Sequence, residues 1–105
     1  GEEDFMLVQM RRFTVTEGNA HQLVEKFTTQ KAPVEGREGF IDKTVLQKKV
    51  RRGEEEVIVV IRWESEDAWK AWEKSPEHIA GHRNNKGKER PEFIINVDVA
   101  MYEVK

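Results

Sequence analysis

The sequence predicts an α+β domain, the ferredoxin-like plait β-α-β-β-α-β, with an antiparallel four-stranded sheet and helices on one face. Three observations carry this: four segments rich in β-formers, two stretches with apolar residues at helical spacing, and a glycine turn joining the second and third strands directly. With 105 residues, one domain over 6–105 accounts for the chain. Residues 1–5 (GEEDF) read as an N-terminal extension or an expression scar ahead of Met6.

Met6 to Val15 (MLVQMRRFTV) places apolar residues on both faces, as a strand covered on both sides does, and is predicted to be central. Thr16-Glu17-Gly18-Asn19 offers capping residues. Ala20, Leu23, Val24 and Phe27 recur at helical spacing, so a helix is expected from about Asn19 to Thr29. Pro33, Gly36 and Gly39 punctuate a loop. Phe40 to Lys49 reads as a strand, Arg51-Arg52-Gly53-Glu54 as a turn, and Glu56 to Trp63 (EVIVVIRW) as the hairpin partner. Ser65 caps a second helix, where Glu66 and Asp67 complement the dipole; it ends near Ser75-Pro76. Pro76 suits the first position of a short helix, Glu77 to Arg83, capped by Ser75. Arg83 to Glu92 has no apolar residue and is expected to be a mobile loop. Phe93 to Val104 closes the chain as a strand in which Phe93, Ile95, Val97, Val99 and Met101 alternate, predicting one firmly buried face.

Composition narrows the function classes. Charged residues make up 36% and mean hydropathy is -0.76, values that lean toward disorder until the three tryptophans, five phenylalanines and apolar runs are counted. A net charge of -2 argues against a generally basic surface for nucleic acid or membrane. The absence of cysteine excludes disulfides, thiolate zinc sites, iron–sulfur clusters, thiolate-ligated haem and cysteine nucleophiles. The longest apolar run, Val57 to Ile61, falls far short of the ~20 residues a membrane span needs, and no signal-peptide pattern is visible, so a cytoplasmic location is expected. The third strand is apolar on both faces although helices cover one side only. A second copy of the sheet is the simplest cover, giving a two-fold homodimer, a dimeric α+β barrel.

Few residues carry candidate chemistry. His78 and His82 stand at i, i+4, so both rings can project from one face; a pair of this kind is more commonly two surface histidines, and no glutamate of a zincin lies between them. His21 falls on the polar side of the first helix and is expected to be solvated. Trp69 and Trp72, beside Ala68 and Ala71, read as core or as a slot for a flat aromatic ligand, with His82 ten residues beyond Trp72 as a haem-iron ligand. Arg11 and Arg12 lie mid-strand, where one must face inward or sit at an edge. It either pairs with Asp98 or Glu103 or points into a ligand pocket. Arg83, Lys86, Lys88 and Arg90 form a basic run that is solvated, or that clasps carboxylates such as haem propionates. No GxGxxG, P-loop, paired-carboxylate pattern or base-stacking signature of the RNA-recognition fold is present.

The run Trp63-Glu64-Ser65-Glu66-Asp67-Ala68-Trp69-Lys70-Ala71-Trp72-Glu73-Lys74-Ser75, continued to His82, resembles the IsdG-type haem-degrading monooxygenases of the antibiotic biosynthesis monooxygenase superfamily. The resemblance extends from about Met6 to Tyr102, takes in Thr16-Glu17-Gly18-Asn19-Ala20 and Glu38-Gly39-Phe40, and is nearest to the bacillus-type branch through the Arg-Arg-Gly-Glu-Glu and Ile-Arg-Trp-Glu-Ser segments. It implies that Trp72 and His82 are the haem site, His82 as proximal iron ligand and Trp72 pressing on one porphyrin face so that oxygen attacks the buckled ring. Propionates would lie near the helix ends and the basic loop, including Arg83. The family's asparagine in the first strand, seven residues before the matching glycine, is Arg11 here, which puts regiochemistry and product in question. O2 and an external electron donor are implied as partners, with haem as both substrate and cofactor. A cofactor-free quinol or polyketide monooxygenase of the same superfamily, and a non-catalytic haem-binding dimer, are the alternatives.

Overall fold

The computed structural model describes residues 5–85, 87 and 89–105. Residues 1–4 of the terminal extension, and Lys86 and Lys88 of the basic run, lie outside the described residues. Among the described residues the order is β1 (Leu7–Val15), α1 (Ala20–Thr29), β2 (Phe40–Gln47), β3 (Glu55–Trp63), α2 (Glu66–Glu73), α3 (Pro76–Asn85) and β4 (Ile94–Glu103). All three pairings are antiparallel and the sheet order is β2-β3-β1-β4, the expected plait with β1 central. No helix among the described residues is long and apolar enough to cross a membrane.

Strand parity sets the two faces. Leu7, Phe13 and Val15 of β1 stand opposite Trp63, Val57 and Glu55 of β3, and the apolar members of these pairs are buried beneath the helices. The other parity carries Val8 and Met10 of β1 and Ile58 and Val60 of β3, all half-buried, with Leu46 and Tyr102 exposed beside them. Two cross-strand ion pairs, Arg12–Asp98 at 3.1 Å and Arg62–Asp42, cross this second face. No described helix covers it.

Three expectations are corrected. The last strand does not present one buried face: Ile95 is 44% exposed and Val99 54%. A register shift between Thr14 and Val15 brings Ile94 opposite Val15, so Ile94 enters the core and Ile95 turns out. Val99 lies on edge strand β4 beneath an open cleft and not beneath a helix. The helix entry is also different, since the Asn19 side chain makes no capping bond. Instead Glu55 of β3 accepts the Ala20 N–H at 2.9 Å, and the backbone N–H groups of Ala20 and Gly18 hold its carboxyl below the ordinary glutamate range. Finally, the short helix expected over Glu77 to Arg83 runs from Pro76 to Asn85, so it continues two residues into the stretch expected to be a loop.

Candidate functional site

The apolar layer between helices and sheet is divided in two. Phe13, Val15, Ala20, Leu23, Val57, Val59 and Ile94 form a cluster under α1. Leu7, Val34 and Trp63 form another, with Ala68, Trp69, Trp72 and Met101 packed against it from α2 and β4. Full burial of such side chains contributes about 1.5–3 kcal/mol each. Between the clusters a cleft of about 650 Å³ opens over the sheet. Its floor is Gln9, Arg11, Val59, Ile61, Val99 and Met101; Phe27 and Lys26 of α1 stand on one side, Trp69, Trp72, His78 and His82 of α2 and α3 on the other.

The tryptophan wall is seated by three local devices. Gly39, at φ +84°, lies so close under α2 that a Cβ there would meet the Ala68 Cβ at 2.3 Å. Ser65 caps α2 as expected, its Oγ accepting the Ala68 N–H at 3.2 Å. At the other end Ser75 is buried; its Oγ donates to the Trp72 carbonyl at 2.7 Å and accepts the His78 N–H at 3.2 Å. This one hydroxyl ties the end of α2 to the start of α3.

The rings of Trp72, His78 and His82 form a continuous edge-on series. Centroids are 5.0 Å apart for Trp72 and His78, at 67°, and 4.4 Å apart for the two histidines, at 73°. The i, i+4 spacing therefore does place both histidines on one face, and that face looks into the cleft. His82 is exposed and His78 half-buried, with its Nε2 2.9 Å from Glu73 Oε2. Trp69 and Trp72 serve as core and as cleft wall at once; the Trp69 Nε1 is buried without a partner. His21 is exposed, as expected.

The two arginines of β1 divide the alternatives between them. Arg12 points to the outer face and pairs with Asp98, which raises its pKa. Arg11 points to the cleft. Of the basic run, Arg83 and Arg90 are exposed and neither lines the cleft, in keeping with the solvated alternative. Among the described residues the Lys and Arg side chains that line it are Arg11, Lys26, Lys31 and Lys43. Lys43 is engaged by Glu35 at 3.3 Å, and the Ala32 N–H together with Lys43 lowers the Glu35 carboxyl's pKa.

Sequence reasoning missed Lys26 and Lys31; a basic last turn of α1 was the available signal for Lys26. It also missed Arg37, whose guanidinium carbon lies 5.7 Å from the Trp72 ring centroid and which pairs with Glu77 at 3.5 Å. A contact across forty residues leaves no trace in local pattern.

Among the described residues no three His, Asp or Glu side chains are arranged to hold a bare metal ion. The cleft instead suits a flat, largely apolar ring carrying anionic groups. Tryptophan and aliphatic walls would cover its faces, an imidazole could reach a central metal, and cations stand ready for carboxylates.

Comparison with known proteins agrees with this chemistry. The family model described as antibiotic biosynthesis monooxygenase matches residues 6–84. The chain is 56% identical over 100 residues to the haem-degrading monooxygenase HmoA of Bacillus subtilis (strain 168), covering 95% of this chain and 92% of that protein. Its fold superposes with a TM-score of 0.82 on a Bacillus cereus crystal structure ascribed to the antibiotic biosynthesis monooxygenases, at 53% identity over 96% of this chain and 94% of that one. MhuD of Mycobacterium tuberculosis, a haem degrader with two haems bound in its active site, matches with a TM-score of 0.67 and 28% identity over 93% and 94% of the two chains.

Proposed function

The chain belongs to the antibiotic biosynthesis monooxygenase family, and from that premise we propose that it is a haem-degrading monooxygenase. In this reading it binds haem through His82 and opens the porphyrin oxidatively, releasing iron and a linear tetrapyrrole. The observation that carries it is the meeting of Trp72 and His82, ten residues apart in sequence, on one wall of an apolar cleft. The 56% identity to HmoA supports the same reading.

Each residue has a role that follows from its place. His82 offers an imidazole nitrogen to the iron from the exposed turn of α3. Trp72, held by Arg37 on one side and His78 on another, presents bulk that a flat macrocycle must yield to. Val59, Ile61, Val99 and Met101 keep water from the ring face. Arg11 on the floor offers only hydrogen-bond donors, so it orients an acceptor or steadies negative charge. Lys26 and Lys31 border the cleft and are placed to meet the propionates, while Arg83, next to His82 in sequence, stands exposed outside the cleft lining. Bound haem, substrate and cofactor together, supplies the redox centre for O2 with electrons from an external donor.

The homodimer belongs to the same proposal. The uncovered face with Val8, Met10, Ile58 and Val60 is the interface, two sheets closing into an α+β barrel in the cytoplasm. The test is haemin followed by ascorbate in air, with catalase present to suppress peroxide chemistry. Loss of the Soret band with chelatable iron released is expected. A stable Soret band would make the chain a haem-binding protein only, and no Soret band would favour the cofactor-free oxygenase.

A further inference from the structure

A second histidine reaches the cleft, and its surroundings assign it a part in the site that rests on the reading of His82 as haem ligand. His78 is held at both ends. Its backbone N–H is fixed by Ser75 Oγ, which also holds the Trp72 carbonyl, while its Nε2 lies 2.9 Å from Glu73 Oε2. The side chain is 19% exposed, against 40% for Glu73, so the contact is sheltered on the imidazole side. The ring fills the space between Trp72 and His82 and touches both edge-on.

This placement has two consequences. An exposed imidazole such as His82 rotates freely unless something packs against it, and the ring packed against it is that of His78. The His78 Nε2 is engaged by Glu73, which fixes the orientation of the ring between its two neighbours. We propose that His78, anchored by Glu73, is a positioning residue that fixes the rings of Trp72 and His82 relative to each other. Outer-shell residues do this for metal-ligating histidines generally, usually through a hydrogen bond; here a ring contact does it.

The test uses His78→Ala, His78→Phe and Glu73→Gln, read without haem and with it. In the haem-free protein, NMR of the aromatic side chains should show the His82 and Trp72 ring signals shifted and broadened in His78→Ala and largely restored in His78→Phe, which keeps a ring in place. With haemin, His78→Ala should weaken binding about 10-fold, the lower end for lost outer-shell partners. The single ferric EPR species expected for the wild type should split into several. Glu73→Gln, which weakens the anchor and keeps the ring, should shift the His82 and Trp72 ring signals in the same direction as His78→Ala and by less. Unchanged His82 ring signals and an unchanged EPR spectrum in His78→Ala would overturn the proposal while leaving haem ligation by His82 intact. Loss of binding in His78→Ala, with His82→Ala still binding, would overturn it by making His78 the ligand. Failure of the wild type to bind haemin would overturn this proposal together with the reading beneath it.

Discussion

Replacing Gly39 by alanine should destabilise the protein and disturb the cleft by one identifiable contact. The added methyl group would stand 2.3 Å from the Ala68 Cβ, well inside van der Waals contact, on a backbone at φ +84°. The left-handed backbone alone costs about 1–2 kcal/mol for a residue with a Cβ. Forcing α2 away adds an overpacking cost of about 1–3 kcal/mol. Gly36→Ala is the natural comparator, because φ is +104° there but nothing lies within 4 Å of the new methyl group. Gly36→Ala should therefore lose only the backbone part, and Gly39→Ala about 1–3 kcal/mol more, a further drop in Tm of roughly 4–12 °C for a domain of this size. Ala68→Gly removes the opposing methyl at about 1 kcal/mol of helix propensity, so the double mutant should recover the steric part. The assay is urea unfolding of the haem-free proteins at one fixed concentration, with unchanged m-values as the check that only stability moved. Because α2 carries Trp69 and Trp72, haemin affinity should fall in Gly39→Ala and not in Gly36→Ala. Equal losses in the two alanine variants would refute the reasoning, as would a coupling between positions 39 and 68 within about 0.5 kcal/mol of zero.

Three further outcomes are expected. The Glu55 carboxyl is held below the ordinary glutamate range by the backbone N–H groups of Ala20 and Gly18, so its stabilising effect is full above the unfolded value and fades as pH falls through the folded one. Wild type should accordingly lose its advantage in Tm over Glu55→Gln as pH drops from 6 to 3; a gap that stays constant over that range would contradict the capping role. Trp72→Ala should keep haem binding and slow haem loss under reductant about tenfold or more, with Trp72→Phe milder, a tenfold change being ~1.4 kcal/mol of barrier. Equal rates in all three would show that tryptophan bulk is not what prepares the ring. Ile58→Asp puts a charge at the centre of the uncovered face, twice over in a two-fold dimer. Sedimentation should give twice 12.3 kDa for wild type and a single copy for the variant; a monomeric wild type at micromolar concentration would remove the barrel.

Much of the fold was legible because its signals are local. The alternating runs, the Gly53 turn, Ser65 before an acidic first turn and Pro76 after Ser75 each act within a few residues, and each element formed about where those signals lie. What escaped depends on pairing across the chain. The register shift opposite Val15, which turned Ile95 outward, is invisible in an alternating pattern. Glu55 replaces Asn19 at the head of α1 because β3 passes beside it, thirty-five residues on. The site follows the same division. The i, i+4 histidines and the Trp72 to His82 spacing could be read from sequence. The assignment of Arg12 to an outer ion pair and Arg11 to the cleft needed strand parity, and the approach of Arg37 to Trp72 needed the fold.

The most direct measurement is a haemin titration of the wild type and His82→Ala side by side, followed through the Soret region. A shifted Soret band at one equivalent per site is expected in the wild type, with haemin left free or displaced to a nonspecific spectrum in His82→Ala. An identical bound spectrum in the two proteins would contradict ligation by His82 and, with it, the assignment of the Trp72 and His82 wall as the haem site.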